Sequence, residues 1–191
     1  MEIGLYFGSF NPVHVGHLII ASYAKQTSAL KQVWLVVSPQ NPLKASASLL
    51  NEYHRLHLVK LAIEDDTNLR VTDVEFHLPK PSFTVHTLAY LKEKYPQHQF
   101  SLIMGSDSFT NLPKWKNYGH ILTNHKIYIF KRPGFEVDNH HNGNIEFIDA
   151  PLLQISSTEI RAMIKKGMSV RYLVPEKAVK EIDENRYYRD L

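Results

Sequence analysis

The first 37 residues alternate strand, turn, helix and strand patterns, and this order restricts the fold more than any other feature. Ile3 to Phe7 is a short apolar run that predicts a strand. A turn rich in Gly, Asn and Pro follows, and Leu18 to Ala24 has the apolar residues of a helix that packs against a sheet. Gln32 to Val37 is almost wholly apolar, which is typical of a strand buried on both faces of a parallel sheet. The segment predicts one βαβ unit.

The same alternation continues along the chain. Further strands are predicted at Leu69 to Phe76, Phe100 to Met104, Lys126 to Phe130 and Ile145 to Ile148, and helices from about Asn51, from Ser82 to Tyr95, after the Ser156 capping box, and after Pro175. We expect an α/β fold with a doubly wound parallel sheet and a small helical part at the C-terminal end. A length of 191 residues with 43% hydrophobic residues fits one domain over residues 1–191.

Composition excludes several kinds of chemistry. The chain has no cysteine, which excludes disulfides, thiolate nucleophiles and Cys-based metal sites and suits a reducing compartment. A net charge of +3 suits small anionic ligands but does not indicate a nucleic-acid groove. No stretch approaches the length of a membrane span, and Gly8 and Pro12 interrupt the first apolar run too early for a signal peptide. We therefore expect a cytoplasmic protein that binds neither membrane nor nucleic acid.

The turn after the first strand carries the first candidate site. It reads Gly8-Ser9-Phe10-Asn11-Pro12-Val13-His14-Val15-Gly16-His17 and delivers a glycine turn to a helix start. Free backbone N–H groups and the positive end of the helix dipole meet there, which favours a phosphate. Two imidazoles add donors that can be charged near neutral pH. A tight turn with two surface histidines, or a His-x-x-His zinc pair, would give the same pattern.

A second helix start near the C-terminal end has a similar character. Ser156, Ser157, Thr158 and Arg161 place hydroxyls, helix N–H groups and a guanidinium at one point. This set suits an anion. A capping box of purely structural role would look the same in the sequence.

Two further places lie where strands end. Gly105 and Asp107 follow a buried strand, so that the carboxylate could accept hydrogen bonds from sugar hydroxyls; an Asp N-cap is the alternative. Trp115 could stack on an aromatic ligand or anchor the core, and core is the commoner role for such a residue. Lys44 stands in a Pro-rich loop after the second strand and could pair with a phosphate, although a loop lysine is usually only solvated.

Taken together, these segments resemble a known superfamily. The Gly8 to His17 segment resembles the G-[TS]-F-[DN]-P-x-H-x-G-H signature of the nucleotidyltransferases, and Ile155 to Arg161 resembles their I-S-S-T-x-I-R signature. Within the superfamily the chain is most similar to the bacterial nicotinate-nucleotide adenylyltransferases. The supporting marks are Pro81-Ser82-Phe83-Thr84, Gly105-Ser106-Asp107, Leu112-Pro113-Lys114-Trp115 and Lys131-Arg132-Pro133-Gly134.

The resemblance implies a Rossmann-like fold of the nucleotidyltransferase type and transfer of AMP from ATP to nicotinate mononucleotide. Catalysis would rest on His14, His17 and Arg161, with Mg2+ carried by the ATP phosphates. The implied ATP-binding residues are Gly8, Ser9, Phe10, His14, Gly16, His17, Gly105, Asp107, Ser156, Ser157, Thr158 and Arg161. The implied substrate-binding residues are Lys44 for the mononucleotide phosphate, Trp115 for the pyridine ring, and the Phe83 and Thr84 amides for its carboxylate. No metal-binding residue is implied.

Three departures from the family pattern and two rival interpretations remain. The double glycine that usually begins the motif is Phe7-Gly8 here, and Phe7 could narrow the pocket, whereas Ser9 and Asn11 keep the hydroxyl and turn chemistry of the Thr and Asp that they replace. A sister nucleotidyltransferase acting on a phosphopantetheine or cytidylyl acceptor would carry the same histidine motif. A non-catalytic nucleotide-binding module is the rival from another class. The chain could also form a homo-oligomer.

Overall fold

The computed structural model describes residues 1–40, 49–135, 137, 143–151 and 153–189. Its centre is a parallel sheet of six strands in the order β3-β2-β1-β4-β5-β6. The strands are β1 (Glu2–Gly8), β2 (Gln32–Val37), β3 (Leu69–Thr72), β4 (Gln99–Gly105), β5 (Ile127–Phe130) and β6 (Ile145–Ile148). The alternating pattern predicted this parallel α/β sheet, and the Rossmann-like architecture agrees with what the resemblance implied.

The order of the strands reverses between β1 and β4, which are neighbours in the sheet although a long stretch of chain separates them. In the register, Gly8 at the end of β1 faces Val37 at the end of β2, and Gly105 at the end of β4 faces Phe130 at the end of β5. The carboxyl ends of the four central strands therefore meet at one edge. An open parallel sheet binds ligands at such a reversal.

Seven helices cover the two faces in the described part of the chain. They are α1 (Val15–Thr27), α2 (Glu52–Ala62), α3 (Thr84–Lys94), α4 (Ser106–Thr110), α5 (Tyr118–Asn124), α6 (Ser157–Lys165) and α7 (Glu176–Glu184). Alternate residues of β2 pack into two different cores. Val33 and Leu35 pack in a core with residues of α1, α2, α6 and α7. Trp34 and Val36 pack in a second core with residues of α3 and α5. Burial on both sides explains the continuous apolar sequence of β2.

The predicted helix starts are confirmed by their caps. Asn51 Oδ1 accepts a hydrogen bond from the Tyr53 N–H (2.9 Å), and Ser156 Oγ accepts one from the Glu159 N–H (3.1 Å). Each cap satisfies one of the N–H groups that a helix start leaves without a partner.

One predicted strand is too long. The Leu69 to Phe76 run was expected to be extended throughout, but β3 ends at Thr72, and a 3-10 turn covers Val74–His77. Asp73 leaves the extended conformation, with φ −98° and ψ 18°. The apolar residues on either side of Asp73 suit a strand and a turn equally well, so the periodicity of the sequence could not distinguish the two.

The described helices include none that is long and apolar enough to span a bilayer.

Candidate active site

A cavity of about 750 Å³ opens where the strand order reverses, above the ends of β1 and β4. Most of the residues predicted to bind ligands contribute to its wall. These are Gly8, Ser9, Phe10, His17, Gly105, Asp107, Ser157, Thr158, Arg161, Phe83, Thr84 and Trp115. The fold thus brings both sequence signatures and the aromatic segments to one place. Lys44 lies outside the described residues.

His14, Gly16 and Ser156 are absent from the described wall of this cavity. His14 and Gly16 border a smaller cavity next to it, which His17 also lines. His14 is only 5% exposed. Burial, and to a lesser extent the positive charge of Arg132, lowers the pKa of His14 to about 4. The expectation of an imidazole charged near neutral pH is therefore wrong for His14, which is neutral at pH 7.

The two histidines of the motif form a stacked pair. Their ring centroids are 3.6 Å apart with planes inclined at 28°. The Nδ1 atom of His17 accepts a hydrogen bond from the backbone N–H of His14 (3.2 Å), so a neutral His17 carries its ring proton on Nε2. Stacked rings with one nitrogen already engaged do not converge on a metal ion. The geometry therefore gives no support to the zinc alternative.

Gly16 has a packing reason to be a glycine. A Cβ atom at this position would lie 3.0 Å from Nδ1 of His14, so the buried ring sits directly against the helix backbone. Gly8 is similarly restricted, because a Cβ there would lie 2.8 Å from the Phe10 ring. Both glycines let aromatic rings of the motif approach the main chain closely.

The start of α6 is joined to the N-terminal turn. Ser157 Oγ donates a hydrogen bond to the Pro12 carbonyl (2.9 Å), and Arg161 Nη1 donates one to the Asn11 carbonyl (2.8 Å). Ser156 is the N-cap of α6, so its hydroxyl has the structural role that the capping-box alternative foresaw. Thr158 and Arg161 remain in the cavity wall together with the helix start. The two sequence signatures therefore form one anion-binding corner.

Asp107 lies at the floor of the cavity beside β4. The N-cap of α4 is Gly105, so the N-cap alternative for Asp107 is wrong. A Cβ atom on Gly105 would meet the Asp107 carboxylate, so the carboxylate lies directly against the main chain at the strand end. Arg132 Nε lies 3.9 Å from Asp107 Oδ1, and this buried Nε–H has no hydrogen-bond partner among the described residues. A carboxylate and an arginine thus face the same space.

The far end of the cavity is aromatic. Phe83 is the N-cap residue of α3, so the N–H groups that a helix start leaves without intrahelical partners lie at and beside Thr84. Trp115 and Phe7 both pack against the core beneath α3 and α5, and both line the cavity. Trp115 therefore packs against the core and also borders the cavity, and its stacking on an aromatic ligand stays a prediction. The ammonium of Lys116 lies 4.9 Å from the centroid of the Phe83 ring.

Several residues of the wall were not predicted as site residues. They are Ser38, Glu75, Asn111, Lys114, Lys116 and Arg132. Arg132 belongs to the quoted Lys131 to Gly134 mark, and its position directly after β5 was the signal that could have identified it. Glu75 had the corresponding signal, a carboxylate near the end of a predicted strand. Lys114 belongs to the quoted Leu112 to Trp115 mark, whereas Lys116 had no signal in the sequence.

The fold and cavity correspond to a known class of proteins. Residues 5–163 match the family model described as cytidylyltransferase-like. The match contains the strand ends, the histidine turn and the start of α6 that form the cavity. The architecture and the site together define a protein of the cytidylyltransferase-like class.

Curated relatives narrow this class. The chain is 50% identical over 192 residues to a Flavobacterium psychrophilum protein named "Probable nicotinate-nucleotide adenylyltransferase", with 99% of this chain and 100% of that protein covered. A Flavobacterium johnsoniae protein of the same name matches with the same identity and coverage. The chain belongs to the nicotinate-nucleotide adenylyltransferase family.

Solved structures agree on the fold. The Plasmodium falciparum nicotinic acid mononucleotide adenylyltransferase complexed with NaAD matches with a TM-score of 0.83 at 21% identity, covering 98% of this chain and 97% of that chain. The same Plasmodium enzyme complexed with APC matches with a TM-score of 0.82 at 21% identity, covering 98% and 96%. At this identity the likeness establishes the architecture alone.

Proposed function

We propose that this chain transfers AMP from ATP to nicotinate mononucleotide, giving deamido-NAD and pyrophosphate. The observation that carries the proposal is the continuity of the cavity. One cavity wall contains both His17, Thr158 and Arg161, which suit a polyphosphate, and Phe83 and Trp115, which suit a flat ring. Named relatives that are 50% identical over their full length point to the same reaction.

The chemistry requires no covalent enzyme intermediate. The phosphate oxygen of the mononucleotide attacks the α-phosphorus of ATP in line, and the bond from that phosphorus to the bridging oxygen of the β-phosphate breaks as pyrophosphate leaves. The protein holds two anions together and stabilises the charge that moves between them. Its positively charged and N–H-rich walls serve that purpose.

His17 is our candidate for the contact with the α-phosphate. Its Nδ1 is turned toward the main chain, so its proton-bearing Nε2 is the atom that can donate to a phosphate oxygen. Thr158, Arg161 and the α6 start would hold the β- and γ-phosphates. His14 would support His17 by stacking and by its backbone N–H, and not as a charged group.

The remaining assignments follow from position in the wall. Asp107 would accept hydrogen bonds from the adenosine ribose, beside Arg132. Trp115 would stack on the pyridine ring, and the Phe83 and Thr84 amides at the start of α3 would receive its carboxylate. Lys44 is proposed for the mononucleotide phosphate from its sequence position alone. Mg2+ would enter with ATP, bound by phosphate oxygens and water, which it prefers. We expect the reaction to take place in the cytoplasm.

The test is pyrophosphate release by the purified chain with ATP and Mg2+. Parallel reactions contain nicotinate mononucleotide, nicotinamide mononucleotide, phosphopantetheine or no acceptor. We expect release that requires an acceptor and is fastest with nicotinate mononucleotide, and loss of release when Mg2+ is chelated. Release with phosphopantetheine alone would identify a sister transferase. Tight ATP binding without release in any reaction would identify a binding module.

A further inference from the structure

Glu75 is a buried carboxylate in the cavity wall, and the proposed reaction assigns it no role. It lies in the 3-10 turn after β3 and is 2% exposed. A buried charge normally requires a partner of opposite charge or several hydrogen bonds. The partners of Glu75 are hydroxyl groups.

Two of these hydroxyls flank the start of α3. Ser82 Oγ donates to Glu75 Oε2 (2.9 Å), and Thr87 Oγ1 donates to Glu75 Oε1 (2.9 Å). The Ser38 hydroxyl, just beyond β2, is a third donor. Burial raises the pKa of Glu75, and the three hydroxyl donors act in the opposite direction. One side chain thus joins the ends of β2 and β3 to the α3 start.

The segment between the two flanking hydroxyls is the one assigned to the pyridine carboxylate. Phe83 and Thr84 lie between Ser82 and Thr87, and their amides point from a helix start. Ser82 and Thr87 are themselves buried, at 7% and 0% exposure. If both flanks are fixed to one carboxylate, the amides between them keep one orientation toward the cavity.

We propose that Glu75 is a positioning residue for the acceptor subsite: it holds the Ser82 to Thr87 segment so that the Phe83 and Thr84 amides bind the carboxylate of the acceptor ring. The inference rests on the proposed function, because it takes a carboxylate-bearing mononucleotide as the acceptor. Glu75 does not touch the reacting atoms. It acts through the helix start, and its loss therefore weakens binding of the acceptor while the ATP corner is unchanged.

The experiment compares dissociation constants for nicotinate mononucleotide and for ATP, measured separately by titration calorimetry. For Glu75→Ala we expect acceptor binding to weaken about tenfold or more, since two buried hydroxyls lose their acceptor, and ATP binding to stay within about twofold. Glu75→Gln should recover most of the acceptor affinity, because an amide can accept from one hydroxyl and donate to the other. Equal weakening for both ligands, or no weakening, would overturn the proposal.

Glu2 offers a matched control at the start of β1, at the end of the strand away from the cavity. Its Oε1 accepts hydrogen bonds from Ser101 Oγ (3.1 Å) and the Tyr128 hydroxyl (2.9 Å), so Glu2→Ala also deprives two hydroxyls of an acceptor. We expect it to lower stability without a change in either dissociation constant. A selective loss of acceptor affinity in Glu2→Ala would show that general destabilisation, not positioning, produces the effect.

The conservative pair Ser82→Ala and Thr87→Val tests the same contacts if Glu75→Ala does not fold. Each should weaken acceptor binding several-fold and leave ATP binding unchanged; unchanged acceptor binding in both would overturn the proposal. Turnover of the wild-type chain separates this inference from the proposed function. Wild-type binding of both ligands without pyrophosphate release refutes the function and leaves the positioning claim testable by binding.

Discussion

The substitution Arg55→Met removes a buried guanidinium that holds together the segments around the cavity. Arg55 is 0% exposed, and its guanidinium donates to four main-chain carbonyls: those of Ser9, Ser38, Pro39 and Leu50. These carbonyls belong to the N-terminal turn, the end of β2 and the approach to α2. Burial lowers the pKa of Arg55, whose positive charge is stabilised by carbonyl dipoles. One side chain therefore joins three segments that surround the cavity.

The expected loss can be worked out from these contacts. A hydrogen bond that involves a charged group contributes about 1.5–3 kcal/mol, so four of them amount to about 6–12 kcal/mol before the cost of burying the guanidinium. That cost is several kcal/mol, and methionine fills the volume of the arginine stem without incurring it. We expect Arg55→Met to lower the free energy of unfolding by about 3–5 kcal/mol, which is a large part of the total of about 5–15 kcal/mol typical of a domain. Arg55→Lys should lose about 1–3 kcal/mol, since an ammonium has three donors and a guanidinium has five.

Urea denaturation followed by far-ultraviolet circular dichroism measures these free energies, and pyrophosphate release measures activity. The matched control is Arg171→Met, because Arg171 is exposed and its one ion pair is long, with 4.0 Å between its Nη2 and Glu176 Oε1 among the described residues. It should change stability by no more than about 0.5 kcal/mol. For Arg55→Lys we also expect higher KM values for both substrates, because two of the bonded carbonyls belong to Ser9 and Ser38 in the cavity wall. An Arg55→Met protein whose free energy of unfolding is within about 1 kcal/mol of wild type would show that the guanidinium contacts do not stabilise the fold.

Two other substitutions and one pH dependence follow from the same geometry. Trp115→Ala should raise the KM for nicotinate mononucleotide about fivefold and that for ATP much less, because stacking on one ring contributes about 1 kcal/mol; equal increases in steady-state assays would assign Trp115 to the scaffold alone. The pKa of His14 is about 4 in the folded chain and 6.5 in the unfolded chain. The contribution of neutral His14 to the free energy of unfolding is therefore fully present above pH 6.5 and is lost as the pH falls toward 4. The total loss is about 3 kcal/mol. Urea denaturation between pH 7 and 4 should show this slope, and His14→Gln should flatten it; parallel curves for both proteins would contradict the buried, neutral ring.

Regular structure was predictable because it depends on local pattern. Strand β2, which is apolar on both faces, and strand β6 have the predicted bounds. The capping residues Asn51 and Ser156 were predicted from side-chain chemistry alone. The 3-10 turn after β3 was not predictable, since its apolar residues alternate as a strand would.

The contacts that complete the site depend on the tertiary fold. Arg161 meets the Asn11 carbonyl across 150 positions of sequence, and no local periodicity encodes that distance. The burial that keeps His14 neutral is likewise a property of the packed helix and not of the histidine motif. Arg55 and Glu75 resemble ordinary surface residues in the sequence, and only the fold shows that both are enclosed.

Single-turnover pyrophosphate release with saturating ATP, Mg2+ and nicotinate mononucleotide tests whether His17 stabilises the transition state. We expect the wild-type chain to release one pyrophosphate per deamido-NAD formed. We expect His17→Ala to react at least about 100-fold more slowly with unchanged urea stability, because a donor to the charge of the transition state is lost. A folded His17→Ala protein whose rate is within a few-fold of wild type would show that His17 has no such role.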